Sequence, residues 1–161
     1  MSEKQRMWLT AEGKQTTEQE MLGWVKGEHA DVLGGSKLYV GTDSHLHGRE
    51  FRFITVVCIY NKGRGGNYLY TTSYEKRDAY KGNQKKRMFR EVELSIAMAD
   101  FLLESLDLVS EIHIDASPKE AKEFTSSFSD QLVGYAVGSG YHAEIKPKSF
   151  AATDVADRHT K

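Results

Sequence analysis

Four acids in this 161-residue chain, Asp43, Glu91, Asp115 and Asp157, stand where a fold can bring carboxylates together to hold divalent cations. Asp43 lies in Val40-Gly41-Thr42-Asp43-Ser44-His45, where an apolar run, Lys37 to Val40, leads into a glycine, an acid and small polar residues. A buried strand delivers a carboxylate to the rim of a sheet in this way. Asp115 closes the run from Ser110 in the same manner. Either Asp alone is an ordinary turn former or helix cap. Two carboxylates a few ångströms apart repel, however, and both stay ionised only when a cation bridges them. An all-oxygen ligand set favours Mg2+ or Mn2+ over Zn2+.

Helical periodicity selects the third acid. Stepping 100° per residue, Val92, Ile96, Ala99 and Leu103 centre an apolar face. Glu91 is flanked on the wheel by Ser95, Met98 and Leu102, at the edge of the buried side. Glu93 shares the solvent sector with Asp100 and Glu104. The C-terminal segment offers Asp154 and Asp157. Asp154 falls in the first helical turn, where a carboxylate simply complements the helix dipole; Asp157, beside Ala156, has no such explanation and is the preferred fourth ligand. Ser44 either orients water or a ligand or is an exposed turn serine. Among the histidines, His113 shares a strand face with Asp115 but lies deeper, as a core histidine would. His159, near Asp157, could assist product release, and His29 and His142 carry no signal.

Residues 75 to 90 hold Lys76, Arg77, Lys81, Lys85, Lys86, Arg87 and Arg90 against Glu75 and Asp78. Lys and Arg supply most sequence-independent affinity for nucleic acid through phosphate contacts. A solvated loop and helix start would look the same, although a basic helix start opposes the helix dipole.

The elements that must position these residues follow in order. Residues 1–16 are polar and partly loose, with Trp8-Leu9 as an anchor on the core. Residues 17–161 form one domain. Thr17 and Glu20 have capping-box spacing ahead of a first helix, and Gly34-Gly35 turns the chain into a strand over 37–43. A polar turn, 44–50, leads to a second strand, Phe51 to Tyr60, apolar on both faces and therefore covered on both sides. The turn NKGRGGN, 61–67, precedes a third strand, 68–74, read as an edge strand with Tyr68, Tyr70, Thr72 and Tyr74 on one face. A long helix spans 84–106 and a fourth strand 110–115. Ser117-Pro118-Lys119-Glu120 starts a helix running to Val137. A fifth strand, Tyr141 to Ile145, and a last helix, about 150–159, complete the chain. Three strands joined by short turns form an antiparallel meander, and two more return by crossovers as parallel additions. The expected fold is α/β: a mixed five-stranded sheet with helices on both faces.

Bulk properties exclude several classes. Net charge is −1, so any basic surface is local. The single cysteine, Cys58 in an apolar run, rules out an intramolecular disulfide framework. No apolar run approaches the ~18 residues of a membrane span, and MSEKQRMW has no signal-like apolar region. The expectation is a soluble cytoplasmic protein without a membrane partner.

The order of motifs resembles the ribonuclease H-like fold. It is closer still to the YkuK-like family of bacterial and phage proteins. The residues that carry the likeness are the early Thr17-x-x-Glu20 helix, GTDS at 41–44, the basic stretch before REVELS at 90–95, IDASP at 114–118 and KPKSFAATDVADR at 146–158. They span roughly 17–160. That family commonly has Gln where this chain has His45. The resemblance implies a metal-dependent nuclease acting on RNA, DNA or a hybrid by two-metal phosphodiester hydrolysis. Asp43 would serve both Mg2+ or Mn2+ ions, Glu91 and Asp115 would complete one site, and Asp157 would help hold the other. Lys76, Arg77, Lys85, Lys86, Arg87, Arg90 and Ser44 would contact substrate. Two other readings stand beside it. One is a catalytically inactive nucleic-acid or protein-binding module on the same fold. The other is a metal-dependent amidohydrolase using Asp43, His45 and His47 as a D-x-H-x-H motif, which typically needs a barrel of ~250 residues.

Overall fold

The computed structural model describes residues 5–30, 36–61 and 65–160. The expected Gly34-Gly35 turn and the middle of the NKGRGGN turn lie outside the described residues. One mixed sheet runs through the molecule in the order β2-β1-β5-β4-β3-β6-β7. Its centre is the expected meander: β3 (Ser36–His47), β4 (Glu50–Asn61) and β5 (Gly65–Lys76), paired antiparallel throughout. β6 (Glu111–His113) joins β3 in parallel and β7 (Ala143–Glu144) joins β6 in parallel.

Among the described residues the sheet has seven strands, not five. The two extra strands, β1 (Trp8–Thr10) and β2 (Gln15–Thr16), come from the N-terminal segment, and β1 pairs antiparallel with β5. The third meander strand is therefore flanked rather than an edge over Leu69 to Thr71. Trp8 is fully buried and anchors this addition, as its side chain led one to expect.

Helices α1 (Glu18–Ala30), α2 (Gln84–Leu106) and α3 (Ser129–Gly138) cover one face. Leu38, Val40, Val57 and Ile59 from the sheet meet Met21 and Val25 of α1 and Met98 and Leu102 of α2. Met88, Val92, Ile96 and Ala99 pack against Ile112, Ile114 and Leu132. On the opposite face, Ile54, Val56 and Cys58 meet Ala151 and Ala156 of a C-terminal helical segment. That segment is a π-helical stretch, Ala151–Ala156, continuing into α4, Asp157–Thr160.

Local capping explains the helix starts. The Thr17 hydroxyl accepts from the Glu20 backbone N–H at 3.1 Å and lies 3.2 Å from the Glu20 carboxylate. Asn83 caps α2 by accepting from the Lys86 N–H at 3.0 Å. The helix expected from Ser117 does not form in one piece. Ser117 is buried and gives its hydroxyl to the Glu123 carboxylate instead of capping. Lys122 is left-handed, with φ 53°. Two 3₁₀ turns, Lys119–Ala121 and Phe124–Ser127, therefore replace the first half of that helix.

Candidate metal centre

The sheet positions the first acid differently from the simplest reading. β3 does not end at Asp43; it continues to His47, paired residue by residue with Arg52, Phe51 and Glu50. The polar turn shrinks to Gly48 and Arg49. The rim at Asp43 exists because β6, the neighbour on the other side, has already stopped at His113. Gly41 lies opposite His113, so continuing the parallel register by two residues sets Asp43 level with Asp115.

Strand alternation then gives β3 two faces. Thr42 and Ser44 look towards α2. Thr42 Oγ1 is 3.0 Å from Thr55 Oγ1 and 2.7 Å from Ser95 Oγ, a buried hydroxyl chain beneath the site. The Ser44 hydroxyl donates to Glu91 Oε2 at 2.5 Å and accepts from Arg87 Nη1 at 2.7 Å. Ser44 is thus a buried linker rather than an exposed turn serine. Asp43, His45 and His47 look towards the C-terminal segment. Asp43 Oδ2 accepts from the Thr160 hydroxyl at 3.0 Å, His45 Nε2 lies 3.7 Å from Asp157 Oδ1, and His47 Nε2 is 2.5 Å from the Thr160 carbonyl. Gly41 is required here. A Cβ at that position would sit 2.6 Å from the Ala152 nitrogen and 2.8 Å from the Ala151 carbonyl carbon, so only glycine lets the segment lie against the strand.

Electrostatics register the crowding. Burial, then the charges of Asp115 and Asp157, push the Asp43 carboxyl up to about 7 despite the Thr160 hydrogen bond. Burial, then Asp43, raises Glu91 well above the usual carboxylate range, with Ser44 and Arg87 pulling the other way. Glu91 lies 3.8 Å from Arg87 and is more deeply buried than the edge of an apolar face implies. Leu103, placed at the centre of that face on the wheel, is partly exposed, and Leu102 takes its place in the core. Glu93 is solvent-exposed and pairs with Arg90, and Asp154 is exposed, in line with their exclusion.

The ligand atoms of Asp43, His45 and Asp157 lie within 4.8 Å of one another. Glu91 and Asp115 belong to the same pocket but not to that trio. Glu91 is engaged by Ser44, and Asp115 is paired with Lys146 at 3.1 Å. Burial works against the Lys146 ammonium, but the Asp115 contact outweighs it and holds the lysine charged to higher pH. Lys146 opens the KPKSFAATDVADR motif without being expected at the site; the exit of β7 brings it beside Asp115.

A cleft of about 500 Å3 opens over Asp43, Glu91 and Asp115. It shares Phe51, Gln84 and Arg87 with a smaller hollow of about 140 Å3. That hollow in turn shares Gly82 with a bowl of about 660 Å3 lined by Arg49, Lys76, Arg77 and Lys81 together with Glu50 and Asp78. The basic stretch thus divides. Lys76 and Arg77 reach the bowl, and Arg87 reaches the acids while stacking on Phe51 at 4.7 Å. The exposed Lys86 bonds the Ala79 carbonyl at 2.8 Å, and Lys85 lies over Phe128 at 5.8 Å. Arg90 bonds Glu75 at 2.7 Å and also pairs with Glu93, so its charge is already matched.

His113 and His159 serve the fold. His113 is buried between Tyr39 and Phe150, accepts from the Ala151 N–H at 3.1 Å, and is held neutral, its pKa pushed down to about 4 by burial. His159 bonds the Tyr68 hydroxyl at 2.7 Å and stacks on Tyr70 with ring centres 4.0 Å apart. It pins α4 to the tyrosine stripe, a structural role that accounts for its position.

An open sheet with a central antiparallel meander, parallel additions and acids gathered at one rim defines an α/β protein of ribonuclease H type. The family model described as Ribonuclease H-like matches residues 25–161, and the chain belongs to that family. Over 138 residues it is 26% identical to the uncharacterized protein YkuK of Bacillus subtilis (strain 168), covering 77% of this chain and 78% of that protein. This agrees with the YkuK-like resemblance of its motifs. No solved structure matches the chain significantly. The open sheet is not the barrel an amidohydrolase requires, and His47 is bonded to a backbone carbonyl. No helix among the described residues is long and apolar enough to cross a membrane.

Proposed function

We propose that this protein is a divalent-metal-dependent nuclease that hydrolyses phosphodiester bonds. The observation that carries the reading is the gathering of carboxyls at one rim: Asp43, Glu91 and Asp115 line one cleft, and Asp157 lies within 4.8 Å of Asp43. Burial and this crowding raise the Asp43 carboxyl, with Glu91 close enough to feel its charge. A group held in that state has a use when a cation replaces the proton, and the carboxylate oxygens suit Mg2+ or Mn2+. Asp43, Glu91, Asp115 and Asp157 are the residues that would hold the ions. Bound there, the two ions would lower the pKa of the attacking water and stabilise the departing oxygen.

The chain's own groups do the positioning. Ser44 fixes the Glu91 carboxylate, and Arg87 fixes Ser44 while presenting positive charge to the cleft. Lys146 pairs with Asp115 in the metal-free cleft, competes there with a cation, and once displaced would meet a phosphate oxygen. The cleft, hollow and bowl accommodate a nucleic-acid strand whose phosphates meet Lys76 and Arg77 at the far end. Lys85 and Lys86 flank the path, while Arg90 is reassigned from phosphate contact to bracing Glu75. Water attacks phosphorus, the bond to the 3′ oxygen breaks, and that oxygen leaves with a proton, giving a 5′-phosphate and a 3′-hydroxyl.

The test is digestion of labelled RNA, DNA, hybrid and branched-junction substrates with Mg2+ or Mn2+, with Asp43→Asn as the blank. Metal-dependent cleavage lost in Asp43→Asn supports the reading. Metal binding and cleavage that both survive the substitution refute it. Nucleic-acid binding without cleavage of any substrate would identify an inactive binding module.

A further inference from the structure

Building on the metal reading above, we propose that His45 is a nitrogen ligand of the ion held by Asp43 and Asp157, and that it biases this site towards Mn2+ over Mg2+. The three side chains converge from two elements: Asp43 and His45 from successive same-face positions of β3, Asp157 from the start of α4. His45 Nε2 and Asp157 Oδ1 are 3.7 Å apart. That is longer than a direct hydrogen bond of ~2.7–3.2 Å and falls between the ~3.0 Å of cis and the ~4.2 Å of trans ligands on an octahedral ion with bonds of ~2.1 Å, so a small side-chain rotation brings both onto one ion.

His45 is not needed to seat the C-terminal segment. Three other contacts do that: His47 to the Thr160 carbonyl, the Thr160 hydroxyl to Asp43, and His159 to Tyr68 and Tyr70. His47, the next residue on the same face, is fully engaged in this anchoring. His45 remains about half exposed at the free edge of β3, beside the cleft it helps to line. An imidazole there changes the chemistry of the site. Mg2+ prefers an all-oxygen shell, whereas imidazole suits later and softer divalent ions, and Mn2+ accepts both oxygen and nitrogen.

A second histidine cluster must be silenced before testing. Glu111, His142 and Glu144 also gather within 4.8 Å of one another, on the far strands of the sheet. His142→Gln removes its nitrogen at an exposed position, with side-chain exposure of 67%. In that background, Mn2+ is added to metal-free protein and pulsed electron paramagnetic resonance reads nitrogen coupling to the ion. Calorimetry gives the Mn2+ and Mg2+ affinities. The expected result is a directly coordinated imidazole nitrogen that disappears in His45→Gln, with Mn2+ still bound. Mn2+ affinity falls about tenfold or more, the lower end for disturbing a metal site, and Mg2+ affinity changes much less.

Mn2+ bound without nitrogen coupling, or a coupling that survives His45→Gln and vanishes in His47→Gln, overturns the assignment while leaving the metal site intact. Absence of Mn2+ binding overturns both this assignment and the nuclease reading.

Discussion

Asp43→Asn is expected to stabilise the metal-free protein at alkaline pH. Asp43 has a carboxyl pKa of about 7 in the fold against a reference of 3.8. Between those values the native state holds a proton that the unfolded chain has released, so stability falls as pH rises across that window. Below about pH 4 both states are protonated and the group contributes nothing; above about pH 7 the full cost of a buried charge is present. At ~1.36 kcal/mol per pKa unit the ceiling is about 4 kcal/mol. Relaxation, water entry and sharing of protons with Glu91 reduce that to about 2 kcal/mol. Asparagine keeps the shape and an oxygen to accept from Thr160, and it removes the charge. For a chain of this size each kcal/mol moves the melting temperature by about 2–4 °C. In EDTA at pH 8.5, Asp43→Asn should melt roughly 4–8 °C above wild type, and at pH 4 the difference should close. Saturating Mn2+ should reverse the order by stabilising wild type alone. Scanning calorimetry at both pH values checks this. A variant no more stable than wild type at pH 8.5, or an advantage that does not shrink on acidification, would refute the argument that Asp43 is held in an unfavourable charge state.

Two other substitutions probe the site's supports. Gly41→Ala forces a Cβ to within 2.6 Å of the Ala152 backbone. It should cost about 1–3 kcal/mol in urea unfolding, as overpacking does, and weaken Mn2+ binding by displacing Asp157; wild-type behaviour in both would mean the segment yields freely. Lys146→Met removes the cation that competes for Asp115. An ion pair this exposed is worth no more than about 1 kcal/mol, so calorimetry should show Mn2+ binding up to about fivefold tighter. Weaker binding would mean that Lys146 organises the site rather than opposing the metal.

Much of this architecture was legible because its signals are periodic. The apolar repeat of residues 84–106 gave α2 its limits, and the same repeat separated Glu91 from Glu93. The two-sided apolar run of β4 announced a central strand. What stayed hidden depended on contacts distant in sequence. β1 and β2 have three and two residues, too short for alternation to register, and only Trp8 hinted at them. Ser117-Pro118-Lys119-Glu120 has the local grammar of a helix start, but the Glu123 carboxylate captures the Ser117 hydroxyl and the left-handed Lys122 breaks the run. Lys146 opens a recognisable motif, but nothing local in it points to Asp115; that pairing arises from the neighbouring strand exits of β6 and β7. Arg90 looked like its basic neighbours because its acidic partner, Glu75, lies on another element.

The DSHLH run that looked like a separate metal motif is better understood as a two-sided seam. Thr42, just before the run, and Ser44 within it reach Ser95 and Glu91 of α2; its odd members, Asp43, His45 and His47, reach Asp157 and Thr160 of α4. A strand has only these two faces, and a slip of one residue would exchange them. The long pairing of β3 with β4, from Ser36 to His47, prevents that slip. Helices on opposite sides of the sheet therefore deliver Glu91 and Asp157 to the same rim only while that register holds. The polar half of β3, which contributes little to the core, fixes the relation between the two halves of the site. Its alternation of small hydroxyls with acid and imidazole follows from that geometry, because each face presents a different helix to satisfy.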